Sequence, residues 1–213
     1  LDELAIGEAL VITVETTLPV TFSLMSLEGK DVKDIKSIAT HPHAESQCRS
    51  YIAKNYPHAE VVPTNSTSAA AELVSKGELD AAIASSVAAE RFGLEIRAEN
   101  IGDNNGAVTR FIAAQKPGWI PEPTGDDRTS MAIFIDIDHA GALLEILQVF
   151  AKNDVNLTFI QSRPTGRELG HYHFIIDVEG HINDSPVGKS VEELREICDD
   201  IRFLGSYPRE VRS

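Results

Sequence analysis

The chain has 213 residues and a mass of 23.2 kDa, which at roughly 100–200 residues per domain means one large domain or two modest ones. Hydrophobic residues at 42% and charged residues at 24% exclude wholesale disorder, and no run reaches the roughly 18 apolar residues of a membrane span. The net charge of −14 is spread out, with no basic tail or stripe, which speaks against a nucleic-acid backbone as partner. Cys48 and Cys198 stand far apart, with no partner at metal spacing, so a disulfide framework is not expected and a reducing, cytoplasmic setting fits. The opening LDELAIGEAL is acidic, lacks an initiator Met and has no basic leader. We read Leu1 as lying inside a longer protein.

The first part alternates strands and helices. Residues 19–26 (PVTFSLMS) and 36–40 (KSIAT) read as strands. Residues 41–56 read as one helix, with Pro42 in the first turn, where a missing N–H costs nothing. A strand follows at 60–64. A helix capped by Ser66 or Thr67 runs to Lys76 and is stopped by Gly77. Then come a strand at 80–84, a short helix at 86–93 and strands at 94–100 and 108–115. That order predicts an α/β layer on a mostly parallel sheet. The stretch KPGWIPEPTGDDR (116–128) is the best linker in the chain. We divide the sequence there into 1–115, a linker at 116–128, and 129–213.

The second part predicts strands at 129–137, 155–164, 169–180 and 201–209. Between them lie a helix at 141–154, with Leu143, Leu144, Leu147 and Phe150 as its apolar stripe, and a helix at 186–200. A capping box Ser190-x-x-Glu193 marks the second helix, although Pro186 allows an earlier start. The order βαββαβ is the ferredoxin-like plan. Such a unit leaves a sheet face or edge in need of a partner.

Four stretches carry possible chemistry. Gln47 is the polar member of an otherwise apolar helix face with Ala44, Cys48, Tyr51 and Ile52. It either hydrogen-bonds a loop or binds a ligand oxygen. Thr40-His41 sits where a strand gives way to a helix, an edge where ligands collect; Thr40 is there as an N-cap or as a binding group. His41 and His43 lack the spacing of a helical metal pair, so no metal is expected. TNSTSAAAEL (64–73) brings surplus hydroxyls to another helix start. In GDNNGAVTRF (102–111), Thr109 and Arg110 interrupt an apolar run, and Arg110 needs an anion, whether a ligand carboxylate or one of the chain's many acids.

Taken in order and spacing, THPHAESQC, STSAAAEL, AAIAS and TRFIAAQ resemble the prephenate dehydratase family. The second part resembles that family's regulatory ACT domain, through Gly141-Ala142-Leu143 and through Gln161-Ser162-Arg163-Pro164. The resemblance implies a periplasmic-binding-protein-like α/β lobe followed by a ferredoxin-like ACT domain. It also implies that roughly the first third of the enzyme lies upstream, so that these 213 residues alone lack turnover. The implied reaction converts prephenate to phenylpyruvate, with loss of carbon dioxide and water and without a cofactor. The implied roles are Thr109 as donor to the departing hydroxyl, Gln47 and Thr40 as further hydrogen-bonding groups, and Arg110 as carboxylate anchor. For the ACT part the implied ligand is L-phenylalanine, a feedback effector bound between two copies at Gly141, Ala142, Leu143, Asn156, Leu157, Gln161 and Ser162, in a homodimer or homotetramer. Three positions depart from the family pattern: Ala107 for Asn, Gln161 for Glu and Ala140 for Pro. Two other functions compete: a non-catalytic amino-acid sensor, and an arogenate dehydratase doing the same chemistry on an aminated substrate.

Overall fold

The computed structural model describes residues 2–104, 106–135, 139–164 and 172–210. In chain order the elements are α1 (Asp2–Ile6), β1 (Val11–Pro19), β2 (Ser23–Ser26), a 3-10 turn (Val32–Asp34), β3 (Ser37–Thr40), α2 (Pro42–Gln47), α3 (Arg49–Asn55), β4 (Glu60–Pro63), α4 (Thr67–Ser75), β5 (Ala81–Ala84), α5 (Ser86–Phe92), β6 (Glu95–Ala98) and β7 (Val108–Gln115). After the linker follow β8 (Asp127–Ile135), α6 (Ala142–Lys152), β9 (Leu157–Pro164), β10 (Tyr172–Glu179), α7 (Ser185–Ile197) and β11 (Asp200–Pro208). The loop expected between β9 and β10 lies mostly outside the described residues.

Compactness does not divide the chain at the linker. One unit is Leu18–Thr109; the other joins Leu1–Thr17 to Arg110–Ser213. The chain therefore passes between units twice, on β1 and on β7, which pair as a two-stranded sheet.

The unit Leu18–Thr109 is built on a sheet of order β4-β3-β5-β2-β6. Its strands are short, and the central β5 (AAIA) is buried at every position, which is the signature of a strand covered on both faces. Alternate residues feed two cores. Leu24, Ile38, Ala81 and Ile83 pack with Ala44, Cys48 and Ile52 of α2 and α3. Met25, Ala39, Ala82 and Ala84 pack with Ala70, Ala71 and Val74 of α4 and with Ala88 and Ala89 of α5. The expected mostly parallel sheet is corrected to a mixed one. β3 runs parallel to β4 and β5, whereas β2 is antiparallel to both β5 and β6. Burial on both faces gives antiparallel strands the same apolar look as parallel ones, so the pattern could not tell them apart.

The second unit carries the βαββαβ sheet in the order β11-β8-β10-β9, with every adjacent pair antiparallel. On one face Met131, Ile133, Ile176 and Val178 meet Ile146 and Phe150 of α6 and Val187, Val191 and Leu194 of α7. The opposite face, expected to need an outside partner, is covered from within. Ala132, Ile175, Leu204 and Tyr207 pack with Ala5 of α1, Ile12 of β1 and Ile112 of β7. Two helix readings are corrected. In α6 the buried stripe is Ala142, Ile146 and Phe150, while Leu143 and Leu144 are exposed. In α7 the capping-box reading fails while the earlier start that Pro186 allows holds, with Asp184 before the first turn; Ser190 sits inside the helix and bonds back to the Pro186 carbonyl at 2.8 Å.

Two features of the covered face lead to testable outcomes. Gly205 has φ +137° at an irregularity of β11, and a Cβ there would lie 2.2 Å from the Ile12 carbonyl oxygen. Gly205→Ala combines a disfavoured backbone conformation with a backbone clash, so it should destabilise by about 2 kcal/mol or more. An unchanged urea midpoint would show that β1 does not press on β11. The second feature is His173, fully buried beneath this layer, stacked on Phe134 at 5.3 Å and with neither ring nitrogen bonded to a described residue. Burial pushes its pKa down from the ordinary histidine value. The unfolded chain therefore binds a proton that the folded chain refuses, and stability should fall as pH drops below about 6.5. In His173→Phe that acid limb should be shallower; denaturation midpoints that track wild type from pH 7.5 to 5 would contradict this.

Candidate functional site

Thr40 ends β3, and its register partner Pro63 ends the parallel β4, so the helices that follow, α2 and α4, begin on the same edge of the sheet. In parallel sheets that carboxyl-end edge is where ligand crevices form. The Thr40 side chain is fully buried, and its hydroxyl donates to the Ile83 carbonyl at 2.9 Å. Thr40 is not the cap of α2; His41 is, its Nδ1 accepting from the His43 N–H at 3.2 Å. α4 is capped by Ser66, which accepts from the Ala69 N–H at 3.0 Å, and Thr64 Oγ1 donates to the Ser66 carbonyl at 2.9 Å. Local geometry thus occupies two of the surplus hydroxyls in this stretch.

The single helix expected at 41–56 is broken at Cys48 into α2 and α3. The cause lies far along the chain. Asp103 Oδ2 accepts from the Ser50 N–H at 3.2 Å, capping the start of α3, and the Asp103 N–H donates to the Gln47 carbonyl at 2.6 Å. The residue pair Gly102-Asp103 was the signal for this contact, and an acidic side chain next to glycine is too common to identify its target. The thiol of Cys48, buried and beside Asp103, is pushed up to about 12 by desolvation and by that carboxylate, so it is inert at neutral pH. Gln47 closes α2. It is half-buried, and its Nε2 lies 3.2 Å from His43 Nε2, one helical turn back. The same Asp103 contacts dock the loop leading into β7 on the α2–α3 junction.

β7 alternates outward and inward residues. Ile112 joins the apolar core of its unit, whereas Thr109 and Phe111 are exposed. The Thr109 hydroxyl makes no hydrogen bond to another described residue, so it is available to a ligand. Arg110 is different. Expected as a substrate anchor, its guanidinium instead meets Asp177 at 2.5 Å, Tyr207 at 3.1 Å and Glu15 at 3.3 Å. Burial opposes its charge, but the hydrogen bond to Asp177 and the nearby carboxylates more than compensate, and its pKa is raised. The acidic chain supplies the anion internally.

A second candidate site lies at the start of α6. Ile135, His139, Gly141, Ala142, Leu143, Leu144, Tyr172 and Phe174 line a cavity of about 170 Å³. Gly141 precedes the helix at φ +105°, with open space where a Cβ would stand, and no side chain caps the helix. The first-turn N–H groups therefore have no partner within the helix, a natural seat for a carboxylate. The exposed Leu143 and Leu144, misread as core, form the apolar mouth of this cavity. Asn156, Leu157, Gln161 and Ser162 are not among the lining residues. They lie on or just before β9, one of the two edge strands of the sheet, where Asn156 hydrogen-bonds Glu179. Among the described residues no group of three or more His, Cys, Asp or Glu side chains could hold a metal, and no helix is long and apolar enough to cross a membrane.

Comparison with known proteins covers both stretches in which these candidate sites lie. The family model for prephenate dehydratase matches residues 1–118, and that for the ACT domain matches residues 133–196. The prephenate dehydratase of Mycolicibacterium vanbaalenii is 42% identical over 208 residues, covering 98% of this chain and 66% of the relative. The crystal structure of prephenate dehydratase from Arthrobacter aurescens in complex with L-Phe superposes with a TM-score of 0.87 at 47% identity, covering 98% of this chain and 69% of that one. A structure described as GqqA, a novel type of quorum quenching acylase, superposes at 0.82 with 31% identity, covering 94% and 73%. The chain spans about two thirds of the length of the relatives it matches. With a matching model over more than half of its residues, and relatives at this identity, the chain belongs to the prephenate dehydratase family.

Proposed function

We propose that this chain carries part of the catalytic site and the regulatory domain of an enzyme that converts prephenate to phenylpyruvate. The observation that carries the reading is the family match over residues 1–118 together with an exposed, unengaged hydroxyl at Thr109. Prephenate has a cyclohexadiene ring with a ring carboxylate and a ring hydroxyl. Loss of carbon dioxide leaves an electron pair that expels hydroxide, and aromatisation drives both steps. The catalyst has to hold the carboxylates and stabilise charge on the leaving oxygen, work that needs no metal or cofactor. A threonine hydroxyl is a weak acid, so the role that suits Thr109 is a hydrogen bond to the departing oxygen as its charge develops. Gln47, whose amide is on the helix turn tied to the loop before β7, supplies a second polar contact. Thr40 acts indirectly: with its hydroxyl held by Ile83, it fixes the end of β3 from which α2 starts. Arg110 does not serve as an anchor in this reading.

The cavity at the start of α6 is proposed as the seat of L-phenylalanine, the ligand in the A. aurescens structure. Helix N–H groups beyond Gly141 face the carboxylate, and Leu143, Leu144, Tyr172 and Phe174 suit an aromatic side chain. The residues on β9 then belong to the edge that a second copy covers, giving a homodimer or a larger homo-oligomer.

In the gene's full-length product, Thr109→Val removes only the hydroxyl, and turnover of prephenate should fall by roughly 10²–10³ with stability unchanged. Ultraviolet absorbance of phenylpyruvate reads the rate. Activity within about threefold of wild type would remove Thr109 from this role, and a wild-type protein that turns over neither prephenate nor arogenate, or only hydrolyses acyl amides, would overturn the dehydratase reading. Titration calorimetry checks the effector: L-phenylalanine should bind and raise the melting temperature with concentration. Gly141→Val places a β-branched residue at a positive φ and fills the space before the helix, so binding should be lost. Absence of binding heat at millimolar L-phenylalanine in the folded wild type would rule out this effector.

A further inference from the structure

All three nitrogens of the Arg110 guanidinium are engaged by groups that are themselves held. Asp177 is 2% exposed, Glu15 7% and Tyr207 fully buried. Ser130 Oγ donates to Asp177 Oδ1 at 2.5 Å and lies 2.6 Å from the Tyr207 hydroxyl. Arg128 forms an ion pair with the same Glu15 oxygen that faces Arg110. Two guanidiniums and two buried carboxylates make a neutral set that needs no outside anion.

Two of the strands holding this set, β8 and β10, also line the α6 cavity. β10 contributes Tyr172 and Phe174 to the cavity and Asp177 to Arg110; β8 contributes Ile135 to the cavity and Ser130, which pairs in register with Asp177. Arg110 follows Thr109 directly in β7, and alternation sends one side chain inward and the next outward. We propose that Arg110 is a positioning residue that fixes the catalytic strand to the regulatory sheet, so that Thr109 responds to occupancy of the α6 cavity. The proposal rests on the roles given above to Thr109 and to that cavity. Coupling of this kind is established by shared dependence of two sites on one set of contacts, which substitutions can measure.

The experiment uses the full-length gene product, with kcat, KM and L-phenylalanine inhibition measured for wild type, Arg110→Lys, Asp177→Asn, the double variant and Tyr207→Phe. Lysine keeps the charge but cannot fork between Asp177 and Tyr207. Arg110→Lys and Asp177→Asn should each lower kcat roughly 10–100-fold, leave KM within about threefold, and raise the inhibitory concentration of L-phenylalanine at least about fivefold. The double variant should be no worse than the more severe single one. A tenfold rise in KM for Arg110→Lys alone, with Asp177→Asn like wild type, would make Arg110 a substrate anchor and overturn the proposal, as would additive effects. If circular dichroism shows that Arg110→Lys does not fold, Asp177→Asn and Tyr207→Phe decide, and wild-type kcat and inhibition in both overturn it. A wild type without turnover fails before any substitution is made; that outcome sinks the dehydratase reading and this inference with it.

Discussion

Two carboxylates, Glu15 and Asp177, sit almost out of reach of water, and the second unit of the chain depends on their being neutralised. Removing an ionised carboxylate from water costs several kcal/mol, recovered only when opposite charges and hydrogen bonds replace the lost solvent. Here Arg110, Arg128, Ser130 and Tyr207 supply them, and burial beside Asp177 pushes the Tyr207 phenol up to about 12, so it stays a neutral donor. The six residues come from β1, β7, β8, β10 and β11. That convergence explains why compactness groups the first seventeen residues and β7 with the C-terminal sheet and not with the α/β lobe they flank in sequence. A linker rich in proline and glycine marks where backbone is free to turn; the ion set marks which pieces belong together. The linker itself is held, for the buried His181 lies 3.0 Å from the Pro121 carbonyl.

Most strands and helices were legible because each is short and bounded by its own chemistry. Ser66 capping α4, Gly77 and Gly93 ending helices at positive φ, and Asp184-Ser185-Pro186 opening α7 are local events that a sequence displays directly. What could not be read depended on distant partners. The break at Cys48 follows from Asp103, more than fifty residues on. The direction of β2 follows from which neighbours it finds, since a strand buried on both faces reads the same either way. The stripe on α6 was misplaced because leucine looks like core whether it faces a sheet or the mouth of a cavity; burial of Ala142, Ile146 and Phe150 gives the true face.

The candidate site divides along the same line. Thr109 drew notice as a hydroxyl interrupting an apolar strand and Gly141 stands where the backbone takes φ of +105°, but the role proposed for each comes from the family resemblance. Arg110 shows the limit. A guanidinium in an apolar strand states that an anion is near but not whose anion it is. The counterpart signal, Asp177 within the apolar strand HFIIDVE, was equally visible, and an acid and a base each unexplained in their own strands are each other's simplest explanation. Asp103 lies in a Gly/Asn-rich loop, where an acidic side chain is ordinary and names no partner.

The covering of the βαββαβ sheet sets how copies of it can meet. Its helical face is closed by α6 and α7, and its other face by α1, β1 and β7. Among the described residues the open directions are the two edges, β11 and β9, and β9 leaves Phe159 and Ile160 exposed at 38% and 42%. An unpaired edge with apolar side chains attracts another strand, and Gln161 and Ser162 lie on that same strand. Under the proposed association along that edge, the two separated groups of proposed effector residues, those around Gly141 and those on β9, would come under one constraint. In that reading the cavity would seat a carboxylate and an aromatic ring, and the edge would add polar groups from the second copy. A ligand bridging them would stabilise the assembled state over the free chain by the contacts that only the pair provides, which is how mass action turns ligand binding into oligomer stability.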